Sequence, residues 1–131
     1  MMKSTKLKSL LLVCSLIGAS AIIAQTKSDY HSWAATPPMG WNSWDCFGTQ
    51  VTESEAKQQA DYMAANLKKH GWEYFVVDIQ WYEQNSKGYD YAKDAVLTMD
   101  EYSRLMPAPK KFPSAANGKG FKPLADYVHA K

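Results

Sequence analysis

The stretch that decides the fold is YFVVDIQWY, residues 74–82, in which an apolar run ends abruptly at a carboxylate. Its first four residues are aromatic or β-branched without interruption, which is the pattern of a strand buried on both faces, as in parallel sheets. Asp78 follows this strand directly. Active sites of parallel α/β folds lie beyond the carboxyl ends of the strands, so the sequence makes Asp78 a candidate site residue.

A helix is predicted in front of this strand. Thr52 and Glu55 form a capping-box pattern, in which the hydroxyl and the carboxylate each accept a free backbone amide at the helix start. Gly71 is the expected terminator. Between them, one apolar stripe recurs at helical spacing and consists of Ala56, Ala60, Met63 and Leu67.

The strand is followed by a long polar segment, residues 82–119, with a possible short helix over 99–105. A loop of this length after a buried strand more often shapes a cleft than merely connects elements. A second helix is predicted from Phe121, because Pro123 suits a first-turn position. Its apolar face consists of Leu124, Tyr127 and Val128.

The order is therefore a strand near Met39, a helix, a strand, a long loop and a helix. This alternation predicts an α/β fold with a parallel sheet and crossover helices. Two such units would leave strand edges and helix faces uncovered. We expect the chain to be the front part of a larger domain.

The N-terminal residues have a different character. Three lysines precede the apolar run LLLVCSLIGASAIIA, residues 10–24, which ends in small residues typical of signal-peptidase cleavage. We predict a signal peptide over residues 1–24, a tether over 25–35, and the domain proper over 36–131, in a secreted or periplasmic protein. A retained membrane helix is the alternative, but the apolar run is shorter than the roughly 20 residues that span a bilayer, so no membrane anchor is expected.

Charge argues against some partners and cofactors. The chain carries 15 basic and 13 acidic residues, and loss of residues 1–24 would remove three lysines and change the formal charge from +2 to −1. No basic cluster interleaved with aromatic residues is left, so no nucleic acid partner is expected. None of the three histidines has metal-ligand spacing with another histidine or cysteine, so no metal or other cofactor is expected.

Three segments carry a family resemblance. PPMGWNSWDCFG (residues 37–48), YFVVDIQWY (74–82) and KKFPSAANGKGFKPLADYVHAK (110–131) resemble, in that order and spacing, the N-terminal part of glycoside hydrolase family 27, the α-galactosidase family. The resemblance implies an α/β fold that is the N-terminal part of a (β/α)8 TIM barrel, limited to its first two βα units and incomplete.

For function, the resemblance implies a retaining exo-glycosidase that hydrolyses terminal α-D-galactosyl residues of oligo- or polysaccharides. Such enzymes use two carboxylates about 5 to 5.5 Å apart. In this family both are aspartates after the fourth and sixth barrel strands, so no catalytic residue is assigned to residues 1–131. The remainder of the barrel beyond Lys131 would be required, and the chain alone is expected to be inactive.

The resemblance assigns substrate-binding positions to Trp44 and Asp78. An indole suits the C–H face of a pyranose, and a carboxylate accepts strong charge-assisted bonds from sugar hydroxyls. Packing at the top of the barrel is the alternative for Trp44 and the favoured interpretation for Trp41. For Asp78 the alternative is a loop cap at the end of a strand.

Ile79 departs from the family pattern, because relatives usually carry a second aspartate there, near the 4- and 6-hydroxyl end of galactose. Isoleucine accepts no hydrogen bond, and an unpaired buried hydroxyl costs roughly 1–3 kcal/mol. A β-L-arabinopyranoside has the same ring configuration without the exocyclic CH2OH, so Ile79 makes a β-L-arabinopyranosidase the second hypothesis. A non-catalytic carbohydrate-binding relative and a purely structural piece are further alternatives.

The cysteines differ from the family as well. Many relatives carry a disulfide between the positions of Thr49 and Gln80, and both cysteines are absent here. Cys46 occupies neither position. We expect it to be a small buried group, unless a later cysteine pairs with it.

Overall fold

The structure is a computed structural model that describes residues 30–131. The predicted signal peptide, residues 1–24, and the first five residues of the predicted tether, 25–29, lie outside the described residues. The chain divides into two units, Met1–Thr36 and Pro37–Lys131. In the first, the described part contains one short 3-10 turn, Tyr30–Ser32. The second unit contains the sheet, the α-helices and the long loop.

Two short strands form a parallel sheet. β1 spans Gly40–Asn42 and β2 spans Tyr74–Val76, and the register pairs Trp41 with Phe75. The rings of this pair are stacked with their centroids 4.5 Å apart. The predicted parallel α/β arrangement is confirmed for the described part of the chain.

Three α-helices accompany the sheet. α1 spans Ser43–Phe47 and leads into a 3-10 turn at Gly48–Gln50; α2 spans Glu53–Asn66; α3 spans Lys122–His129. Two further 3-10 turns lie at Lys68–His70 and Pro113–Ala115. No helix among residues 30–131 is long and apolar enough to cross a membrane.

The predicted start of α2 is confirmed, whereas the α-helix ends at Asn66, before the predicted terminator Gly71. Thr52 caps the helix and forms both halves of the capping box with Glu55. Gly71 terminates the 3-10 turn Lys68–His70 with a φ of 87°, a left-handed conformation that glycine adopts without the steric cost of a side chain. The buried stripe is Ala56, Ala60 and Met63, whereas Leu67 is only half-buried.

The core lies between α2, α3 and the end of the long loop. Phe112 is its largest fully buried side chain, and full burial of such a ring is worth about 1.5–3 kcal/mol. Its other buried members are Val51, Ala56, Ala115 and Leu124. Trp41 is half-buried against this cluster and also meets Phe47 edge-on, with ring centroids 6.2 Å apart. The favoured packing interpretation of Trp41 agrees with this position.

Two predictions about local structure are wrong. Residues 99–105 form a tight loop closed by a bridge between Met99 and Leu105, not a helix. The cause is Asp100, whose carboxylate Oδ1 accepts the amides of Tyr102 and Arg104 and so competes with helical hydrogen bonding.

The prediction that both faces of β2 are buried is also wrong. Tyr74 is 58% exposed and Val76 is 43% exposed, while Phe75 between them is half-buried. β2 pairs only with β1 in the described residues, so nothing there covers the face that carries Tyr74 and Val76.

Candidate functional site

Trp44 and Asp78 follow the carboxyl ends of the two paired strands. Because β1 and β2 are parallel neighbours with Asn42 opposite Val76, both strands end at the same edge of the sheet. Trp44 lies two residues after β1, in the first turn of α1, and Asp78 lies two residues after β2. Both side chains are half-buried.

Asn42 links the two positions directly. Its Oδ1 accepts the backbone amide of Trp44 at 2.8 Å and thereby caps α1. Its Nδ2 donates to Asp78 Oδ2 at 2.9 Å. Asn42 was not predicted as a site residue from the sequence. The preference of asparagine for the N-cap position could have been inferred from the local sequence, but its second partner, Asp78, lies 36 residues away.

The Asp78 carboxylate is held on both oxygens. Oδ1 accepts a hydrogen bond from the amide of Ile79 at 2.7 Å, and Oδ2 accepts the bond from Asn42. The backbone amide of Asp78 donates to the Oγ of the fully buried Ser43 at 2.8 Å. An ionised carboxylate has about four acceptor positions, so the two bonds leave room for further donors. Asp78 is therefore oriented by the protein and still able to accept hydroxyl groups.

Tyr89 extends the aromatic surface of Trp44. The two rings meet edge-on with centroids 5.4 Å apart, and Tyr89 remains 55% exposed. The preceding residue, Gly88, is fixed to the 3-10 turn after α1, because its carbonyl accepts both the amide of Thr49 at 2.9 Å and the Thr49 hydroxyl at 3.0 Å. The structure thus places Tyr89 beside Trp44.

The approach of these two loops is close. A Cβ on Gly48 would lie 2.3 Å from the Gly88 carbonyl oxygen, and Gly48 has a φ of 53°. Glycine is required there on both counts.

Ile79 is half-buried next to Asp78. The peptide bond between Ile79 and Gln80 is cis. Gln80 is buried, and its side-chain oxygen has no hydrogen-bond partner within the described residues. An apolar side chain, which accepts no hydrogen bond, therefore follows directly after the Asp78 carboxylate in the chain.

Several other polar residues lie outside this edge. Among residues 30–131, no three His, Cys, Asp or Glu side chains cluster as metal ligands would. Asp126 pairs with Lys122 on the exposed face of α3, and Asp100 organises its own loop. A cavity of about 280 Å³ lies between α2, β2 and α3, lined in part by Met63, Trp72 and Val128, and neither Trp44 nor Asp78 lines it.

The expectation that Cys46 is buried is wrong. Its thiol is free and exposed. The reason is its place on α1, a single short helix that buries Ser43 and directs Phe47 toward the core, so that Cys46 falls on the outer side.

Comparison with known proteins gives a consistent result. No protein-family model matches the chain. It is 36% identical over 126 residues to α-galactosidase A of Cellvibrio japonicus strain Ueda107, which covers 95% of this chain and 26% of that protein. It is 37% identical over 97 residues to an α-galactosidase of Cyamopsis tetragonoloba, which covers 73% of this chain and 19% of that protein. The chain spans about a quarter or less of the length of these curated relatives.

A solved structure is more similar still. The crystal structure of a GH27 β-L-arabinopyranosidase from Geobacillus stearothermophilus, in complex with arabinose, matches with a TM-score of 0.72 and 64% sequence identity. This match covers 76% of this chain and 23% of that chain.

Proposed function

Because the chain belongs to glycoside hydrolase family 27 and is consistent with its N-terminal portion, we propose that it forms one wall of the sugar site of a retaining exo-glycosidase. The preferred substrate in this proposal is a terminal β-L-arabinopyranosyl residue. A terminal α-D-galactosyl residue is the second candidate. The two differ at one ring position, the substituent on C5.

The observation that carries the proposal is the link from Trp44 through Asn42 to Asp78. It brings an indole and an oriented carboxylate to one edge of the sheet. A pyranose offers both an apolar C–H face and hydroxyl donors, so a single ring could use both groups at once. We assign Asp78 to binding, because two fixed donors orient its carboxylate and acceptor positions remain for sugar hydroxyls.

Two observations favour arabinopyranoside over galactoside. Ile79 offers no acceptor for the galactose CH2OH. The 64% identity to an arabinopyranosidase also exceeds the 36% and 37% identity to the two α-galactosidases. The curated relatives are the reason to keep α-galactosides as the second candidate.

The proposal needs residues beyond Lys131. We infer that the two βα units are part of a (β/α)8 barrel whose later strands supply the catalytic carboxylates. The exposure of Tyr74 and Val76 supports this, because a sheet face carrying aromatic and β-branched side chains is normally covered. We also propose that residues 1–24 direct export to the periplasm or the exterior.

The test is the substitution Ile79→Asp in the full-length protein, with Ile79→Leu as the apolar control. The new carboxylate would pair a hydroxyl whose unpaired state costs about 1–3 kcal/mol. The ratio of kcat/KM for α-galactosides to that for β-L-arabinopyranosides should therefore rise about 5- to 150-fold. Ile79→Leu should leave the ratio within about twofold.

Three results would count against the proposal. An unchanged ratio in Ile79→Asp would mean that position 79 does not face C5. Wild-type preference for the galactoside would reverse the order of the two substrates. Absence of activity on both would remove the glycosidase assignment.

A further inference from the structure

Lys111 is a buried cation that the proposed sugar site does not use. It is only 5% exposed, although it lies within the long polar loop, residues 82–119. Its Nζ donates to the carbonyl of Thr49 at 2.7 Å, to the carbonyl of Gln80 at 3.0 Å, and to the hydroxyl of Ser86. These acceptors come from the 3-10 turn after α1, the segment that follows β2, and the long loop.

The ammonium is completely satisfied. Lysine is almost never fully buried unless paired, and an ammonium has three N–H groups, each of which has an acceptor here. Burial lowers the pKa of Lys111, and the nearby Glu83 carboxylate, itself buried, acts in the opposite direction. A buried charge with this many fixed partners joins the segments that supply them.

Thr49 transmits this link to the aromatic surface. Its carbonyl accepts both Lys111 and the Ser86 hydroxyl, the latter at 2.7 Å. Its amide and hydroxyl donate to Gly88, the residue before Tyr89. A continuous series of contacts therefore runs from the buried ammonium to the Trp44–Tyr89 pair.

The same ammonium also reaches the other strand end. Gln80 follows Ile79 directly, and its carbonyl is fixed by Lys111. Thr49 and Gln80 are the two positions at which the sequence resemblance implied a disulfide in relatives. Here the Lys111 ammonium bridges the two residues by donating to both of their carbonyls.

We propose that Lys111 is a positioning residue that holds Tyr89 against Trp44, so that the two rings form one sugar-binding wall. This inference rests on the proposed function for its ligand, a pyranose. Lys111 touches neither sugar nor reacting atoms and acts through Thr49 and Ser86. The wall contacts the sugar before and during reaction alike, so its loss should raise KM more than it lowers kcat.

The test is Lys111→Met in the full-length protein, with the adjacent exposed lysine as control in Lys110→Met. Methionine keeps an unbranched stem and removes the three donors. We expect KM for a β-L-arabinopyranoside to rise about tenfold with kcat within about twofold. Hydrogen exchange of the Thr49 amide should accelerate at least tenfold, because its bond to Gly88 would open locally. The Ala60 amide in α2 and the Lys110→Met variant should behave as wild type.

A second variant covers failure of Lys111→Met to fold. Ser86→Ala keeps the cation and removes one of its acceptors, and it should shift KM and Thr49 exchange in the same directions by a smaller factor. Unchanged KM in the folded variants would overturn the positioning role, whether or not exchange changes. A fall in kcat as large as the rise in KM, with the Thr49 and Ala60 amides accelerated by the same factor, would indicate general destabilisation and would also overturn it.

Failure of the proposed function gives a different result. In that case the wild-type protein would act on and bind neither sugar, so the pyranose-binding part of the inference would fail with it. The exchange of the Thr49 amide would still decide whether Lys111 holds the Tyr89 loop.

Discussion

Asn42 provides the sharpest test of how the two strand ends are joined. Its two side-chain atoms do separate jobs, since Oδ1 caps α1 and Nδ2 holds Asp78. Asn42→Ser keeps a good N-cap residue and loses the bond to Asp78, because the hydroxyl is too short to serve both. Asn42→Ala loses both functions.

The magnitudes follow from these contacts. A hydrogen bond to a charged group contributes about 1.5–3 kcal/mol, and the half-buried setting of Asp78 favours the lower end. Loss of an N-cap costs about 1 kcal/mol. Asn42→Ser should therefore lower the free energy of unfolding by about 1.5–2 kcal/mol, and Asn42→Ala by about 1 kcal/mol more.

Sugar affinity should respond differently from stability. Both variants release Asp78 to the same extent, so both should weaken binding of L-arabinose by a similar factor despite their different stabilities. Urea unfolding and a sugar titration of the full-length protein measure the two quantities. Asn66→Ala is the control, because Asn66 donates only to the Tyr62 carbonyl on the exposed side of α2. Wild-type affinity in Asn42→Ser would refute the argument that Asn42 orients Asp78 for binding.

Two further predictions concern the scaffold. Burial alone would raise the pKa of Glu53, but hydrogen bonds from Lys57 and from the Ser114 amide lower it overall. The stability that Glu53 contributes is therefore present at neutral pH and is lost as the pH falls through the lowered pKa. Glu53→Gln should destabilise the protein at pH 7, and its difference from wild type in urea midpoint should shrink once the pH is below about 4.3, whereas a constant difference would contradict this. In Gly40→Ala the new Cβ would lie 2.1 Å from the Tyr74 carbonyl oxygen, so the two strands must move apart. This should lower the free energy of unfolding by about 1–3 kcal/mol or more. An unchanged urea midpoint would mean that β1 and β2 are not paired at this register.

Local signals explain what the sequence predicted well. The Thr52 and Glu55 pair lies at one helix end, so the start of α2 could be placed without tertiary information, whereas Gly71 ends the 3-10 turn that follows α2. The abrupt change from Val77 to Asp78 likewise placed a carboxylate at a strand end. These features depend on neighbours within four residues along the chain.

The parts that could not be predicted depend on distant contacts. Asn42 meets Asp78 36 residues away, and Lys111 meets Thr49 62 residues away. From the sequence, Lys111 and Lys110 look alike, yet one is buried and the other exposed. The tight loop over residues 99–105 shows the opposite case, in which one side chain, Asp100, overrides an apparent helical pattern.

The central claim is that one sugar ring touches both the Trp44 indole and the Asp78 carboxylate. The most direct measurement is a crystal structure of the full-length protein with bound L-arabinose. The account predicts the Trp44 ring within about 4–4.5 Å of the C–H face of the sugar, and a sugar hydroxyl about 2.5–3.0 Å from an Asp78 oxygen. Arabinose bound in the active-site cleft without contact to one of these two residues would contradict it.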